Sequence, residues 1–123
     1  MIEHELDRER AVLYLRPKSA LSAEDFAELA GEVDPFLEQT HGALAGIVLE
    51  VASFPGWDSL SALMAHLRFV RDHHRRVRKV AVVTDSALGD LAERLASHFV
   101  AAKIRHFRAD ELDAARRWVL ERN

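Results

Sequence analysis

An apolar, β-branched run, Ile47-Val48-Leu49-Glu50-Val51, leads through the breaker cluster Ser53-Phe54-Pro55-Gly56 into residues at helical spacing. This stretch, Gly46 to Leu67, constrains the fold more than any other. The run has the composition of a buried strand. Pro55 and Gly56 stop it. Asp58 is placed to cap the helix that follows, its carboxylate accepting a backbone N–H of the first turn. The result is a strand–loop–helix joint. In a sheet of parallel strands such joints gather at the carboxyl edge, where ligands and partners bind.

Upstream, residues 2–7 and 10–16 form two strand-like runs separated by Arg8-Glu9-Arg10, which predicts a hairpin. Alternation puts Val12, Tyr14 and Arg16 on one face of the second run and Ala11, Leu13 and Leu15 on the other, and Pro17 ends it. Ser22 caps a first helix whose opening turn holds Glu24 and Asp25, where the helix dipole favours negative charge. Phe26, Leu29, Val33, Phe36 and Leu37 form its stripe. Pro35 either kinks this helix or restarts it with Asp34 as a new cap. His41-Gly42 ends it, with Gly42 fitted to the left-handed terminal position.

Downstream of the joint, Leu60, Leu63, Met64, Leu67, Val70 and Val77 share a stripe of the second helix, with His74 near its end. Ala62, His66, Phe69 and His73 lie on an adjacent face. Val80 to Thr84 predicts a strand buried on both faces. Asp85-Ser86 follows and caps a third helix with the stripe Leu88, Leu91, Ala92, Leu95, Ala96 and Phe99. Ala102 to Phe107 is a last strand, with Ile104 on one face and Arg105 and Phe107 on the other. A final helix runs from about Asp110 to Glu121, with Leu112, Ala115, Trp118 and Val119 inward. The order ββαβαβαβα predicts an α/β domain, residues 1–123, whose later strands are parallel and joined by right-handed crossovers.

Composition excludes several classes. A net charge of −3 argues against general nucleic-acid binding. The chain has no cysteine, so disulfides, thiolate metal sites and thiol nucleophiles are ruled out, and a reducing compartment fits. Apolar runs fall far short of the ~20 residues that span a membrane. The N-terminus, Met1-Ile2-Glu3-His4-Glu5, is acidic and carries no signal. A cytoplasmic location is expected.

The seven histidines do not make a metal site by spacing. His66 and His73 are two turns apart, His73 and His74 point about 100° apart, and helical zinc ligands come at i and i+4. They are expected to be solvated polar positions, and no metal or cofactor is expected. No G-x-S-x-G elbow and no glycine-rich phosphate loop is present. The basic run Arg68 to Lys79, six Arg/Lys against one Asp, is expected to settle the negative end of the second helix; an anion site is the alternative. Phe54 and Trp57, two large aromatics in a short loop, either lid the core or meet a ligand or partner.

The strand IVLEV, the joint Phe54-Pro55-Gly56-Trp57-Asp58, the HH pair, the strands VAVVTD and IRHF, and the closing Glu111, Leu112, Ala115 and Trp118 together resemble the SpoIIAA-like family. These are small bacterial proteins related to the STAS domains of anti-anti-sigma factors and akin to the CRAL-TRIO lipid-binding fold. The resemblance implies a SpoIIAA-like mixed sheet of about five strands, the first antiparallel, with about four helices and no established enzymatic activity. In anti-anti-sigma factors this joint carries a phosphorylated hydroxyl. Here Asp58 and Ser59 match, Leu60 stands at the usual acceptor position, and no glycine follows, so Ser59 is not expected to be a regulatory phosphosite.

Two functions from different classes follow. The first is a non-enzymatic regulatory module that binds another protein or a second copy of itself. Its surface would be Phe54, Pro55, Gly56, Trp57, Asp58, Ser59, Leu60 and Met64. The second is a carrier of a small apolar ligand, held between the sheet edge and the second helix by Phe54, Trp57, Leu60 and Met64. Leu60 and Met64 suit it, being i and i+4 on one helix face.

Overall fold

The opening hairpin forms as expected. Strand β1 (Ile2–Asp7) pairs antiparallel with β2 (Val12–Pro17), Leu6 opposite Leu13. The turn is tightened by Arg10 N–H donating to Asp7 Oδ1. The structure, a computed structural model, describes residues 1–85, 93, 94 and 100–121. After the hairpin come α1 (Ala23–Thr40), β3 (Leu44–Glu50), α2 (Leu60–His73), β4 (Val77–Val83), β5 (Lys103–Phe107) and α3 (Leu112–Leu120). Short 3-10 turns at His74–Arg76 and Ala109–Glu111 precede β4 and α3.

The strands lie in sequence order, β1-β2-β3-β4-β5, and every pairing after the first is parallel. Successive parallel neighbours require crossovers that return on the outside of the sheet. Helices α1 and α2 therefore lie side by side on one face, over Leu13, Leu15 and Leu44. Helix α3 covers the other face, over Val12, Val48, Ala81 and Val83. The alternation expected in β2 is what splits these two cores. Each fully buried Val or Leu contributes about 1.5–3 kcal/mol by leaving water.

Helix α1 begins on a reciprocal capping box: Asp25 N–H donates to Ser22 Oγ, and Ser22 N–H donates to the Asp25 carboxylate. The helix runs through Pro35 as one element, so Asp34 is not a second cap. Its left-handed terminal residue is His41 (φ 51°) rather than Gly42.

Helix α2 departs furthest from expectation. Its cap is Ser59, whose Oγ accepts the Ala62 N–H, and not Asp58. Val77 is not on its stripe but opens β4. Part of the expected inward stripe faces out, while Leu63, Val70 and His74 of the same stripe are half-buried. Ala62 and His73 are the buried positions, while Leu60, Met64 and Leu67 are exposed. The helix is rotated so that Ala62, Ala65, His66, Phe69 and His73 meet the core and α1. Small alanines allow close approach, and the rings then stack: Phe26 on His66 at 4.8 Å and Phe69 on His73 at 4.1 Å. The helix expected over Leu88 to Phe99 falls largely outside the described residues; those described contain three α-helices.

Candidate functional site

The joint between β3 and α2 is fastened to the connector that precedes α1. Gly56 adopts φ +79°, a region that side chains disfavour, and this turns the chain back toward Leu21. Leu21 N–H donates to Gly56 O at 2.8 Å, and Asp58 N–H donates to Leu21 O at 2.9 Å. Trp57 Nε1–H then donates to His66 Nδ1 at 3.1 Å, while Phe54 packs edge-on against the Trp57 ring at 4.9 Å. The loop is thus tied both to a neighbouring segment and to one side of α2.

Phe54 and Trp57 are 40% and 38% exposed, so they neither vanish into the core nor stand free. Pro55 and Gly56 are half-buried; Asp58 and Ser59 are exposed. Leu60, Met64 and Leu67 are 74%, 45% and 54% exposed and follow one another along the outward side of α2. The eight residues singled out in the sequence are therefore all exposed or half-buried. The structure does not bring Leu60 and Met64 round a pocket with the aromatics, because α2 turns them to the outside.

A cavity of about 370 Å³ does exist, on the other side of α2. It lies between the helices and the sheet, lined by Phe26 and Leu29 of α1, Phe69 and Val70 of α2, and Ile47, Leu49, Val80 and Ile104 of the strands. Phe54 reaches its wall. Among the described lining residues only His66, His73 and His74 carry polar side-chain atoms.

His66, His73 and His74 are not the solvated positions that spacing suggests. His66 is lowered in pKa by burial, which disfavours its charged form, and its Nδ1 serves as the acceptor for Trp57. His73 lies between two oxygens: Nδ1 is 2.7 Å from Phe69 O and Nε2 is 2.6 Å from Asp34 Oδ1. His74 Nδ1 accepts the Ala101 N–H at 2.9 Å. His106 Nε2 is 2.6 Å from Thr84 O, and its backbone N–H bonds the Glu93 carboxylate. No group of three His, Asp or Glu among the described residues could hold a metal ion.

Two cations of the basic run have a different task from the one its position predicts. Arg76 donates to Leu37 O (3.2 Å) and Gly42 O (2.9 Å), closing the end of α1. Lys79, from β4, donates to carbonyls at the end of α3. Arg76 and Lys79 thus settle helix ends distant in sequence, while Arg71 lies in the last turn of α2 as expected.

A model of the SpoIIAA-like family matches residues 12–120. The chain belongs to the SpoIIAA-like family. Its fold is similar to the crystal structure of an uncharacterized protein of the DUF3478 family, described as having a SpoIIAA-like fold, from Shewanella loihica PV-4. The TM-score is 0.78 at 19% identity, over 97% of this chain and 92% of that one. Comparison with curated proteins gave no match. In this SpoIIAA-like protein no helix among the described residues is long and apolar enough to cross a membrane.

Proposed function

We propose that this SpoIIAA-like protein is a non-enzymatic regulatory module that works by docking another protein chain on the joint and the outward side of α2. One observation carries the reading: Leu60, Met64 and Leu67 are exposed in a row. Contiguous exposed apolar side chains are costly in a lone chain and mark interaction surfaces. Phe54 and Trp57 precede the row, and aromatics of this kind anchor interfaces. The polar groups nearby are engaged structurally: Ser59 caps α2 and His66 holds Trp57, which leaves no activated nucleophile in the joint.

The test is a photoreactive residue placed at position 67 or, as a control on the opposite side of the sheet, at position 113, in cells of the native host. Adducts with a protein at position 67 and not at 113 are expected. Equal labelling at both positions, or none at 67, would sink the reading.

A second reading rests on the cavity of about 370 Å³ with its apolar lining. It makes the protein a carrier of a fatty-acid-like chain. Titrating with fatty acids and following tryptophan emission tests it, since Trp57 touches Phe54 on the cavity wall. A response in the wild type that is lost in Trp57→Phe supports the carrier; no response rejects it.

A further inference from the structure

We infer that the partner of the α2 surface is a second copy of this chain, docked helical layer on helical layer about a two-fold axis running along the helices, between α1 and α2. This deepens the interaction reading and rests on it.

Three cross-links fix how α1 and α2 lie. Phe26 stacks on His66, Asp34 bonds His73, and Leu37 O accepts from Arg76. The partners advance together along both helices, so the helices run parallel. Each α1 residue as far as Asp34 is level with an α2 residue 39 or 40 positions later, and Leu37 is level with the 3-10 turn that follows α2.

The two halves of this layer differ in charge. Helix α1 exposes Glu24, Glu28, Asp34 and Glu38 and contains no Lys or Arg. Helix α2 exposes Arg68 and Arg71, and its one acid, Asp72, is paired with Arg71 at 2.9 Å. They also differ in bulk. The exposed positions of α1 include Ala23, Ala27 and Gly31, where an added Cβ on Gly31 would meet nothing, whereas α2 exposes Leu60, Met64 and Leu67.

Only one two-fold uses both differences. An axis across the helices would stack α1 on α1, acid against acid. An axis along them stacks α1 of one copy on α2 of the other and keeps the level of each residue. Ala27 then comes level with the second copy's Leu67, and Glu28 level with its Arg68. Large apolar side chains meet small ones, opposite charges face each other, and every contact occurs twice, as an isologous interface requires. Charge juxtaposition of this kind selects orientation more than it adds affinity. A layer of two helices, with the longer about 27 Å, offers on the order of 500 Å² from each copy. That is the low end for specific pairs, so the dimer is concentration-dependent.

The experiment is sedimentation of the whole chain from about 10 μM to about 1 mM, the range in which an interface of this size associates. Wild type should pass from monomer to dimer. Arg68→Glu with Arg71→Glu makes both helices acidic, and Glu24→Lys with Glu28→Lys places lysines level with the second copy's Met64 and Arg68, cation against cation. Each double variant alone should be monomeric, and an equimolar mixture of the two should dimerise at physiological salt. Leu67→Glu, a single exposed change, should also dissociate the dimer. A monomeric wild type, a variant that keeps the dimer, or a mixture that stays monomeric overturns the proposal. Adducts at position 67 with a different protein would then leave the interaction reading standing; no adducts would remove both.

Discussion

Lys79 Nζ donates to Trp118 O at 2.8 Å and lies 5.0 Å from the centre of the Trp118 ring. Its second bond is to Glu121 O at 2.9 Å. A lysine 2% exposed in a central strand thereby closes the last turn of α3, where carbonyls have no helical partner and the dipole is negative. Lys79→Ala removes both bonds and the packed stem, and should cost about 3 kcal/mol. Lys79→Met keeps the stem and sheds the buried charge, so it should cost clearly less. Urea denaturation of the two variants measures the order; equal losses would show that the stem contributes nothing.

Gly46 marks where α3 comes closest to β3. A Cβ there would stand 2.6 Å from Val119 Cβ and 3.3 Å from Lys79 O. Neither neighbour is the loose end of a flexible chain. Gly46→Ala should therefore destabilise by about 1–3 kcal/mol, as overpacking does. A thermal melt at or above the wild-type midpoint would refute this close approach.

The Trp57–His66 bond makes the joint sensitive to acid. Burial lowers the pKa of His66 below its ordinary 6.5, so the unfolded chain takes up this proton first as pH falls. Stability contributed by the neutral ring is full above about 6.5 and drains away toward the lower folded value. The unfolding free energy should fall as pH drops through 6.5, and His66→Gln should flatten that part of the profile. Gln retains an acceptor for Trp57. A profile equally steep in the variant would assign the acid sensitivity elsewhere.

The His73–Asp34 pair joins α2 to α1. Asp34→Ala should leave one ring nitrogen of a mostly buried imidazole without its acceptor, at a cost of about 1–3 kcal/mol. Urea denaturation measures the loss, and a variant as stable as wild type would contradict the contact between His73 Nε2 and Asp34 Oδ1.

Much of this architecture was legible locally. In β2, the alternation of Val12 and Tyr14 with Leu13 and Leu15 assigns the two faces because the strand period is two. Ser22 and Asp25 announce their capping box because its atoms lie within one turn. The resemblance to the SpoIIAA-like family rested on such elements in their order, and it extends over most of the chain. The candidate joint was legible as a joint for the same reason: a strand run, a breaker pair and a helix start are all short-range signals.

What the sequence determined by itself was therefore the set of elements among the described residues, their order and the parallel sheet that this order demands. The orientation of α2 was decided by tertiary structure alone. Its sequence offers two arcs, a larger apolar one through Leu60, Met64 and Leu67 and a smaller one through Ala62, Ala65, His66, Phe69 and His73. Hydrophobic periodicity favours the first arc, since it weighs side chains one at a time. Contact with α1 favours the second, because alanines let the helices close and because His66 and His73 find Trp57, Phe26, Phe69 and Asp34 only there. The same holds for Lys79, whose partners lie 39 and 42 residues away. A polar group is read from sequence as belonging to water until the fold supplies its acceptor, and acceptors that far along the chain exist only once the sheet and helices have come together.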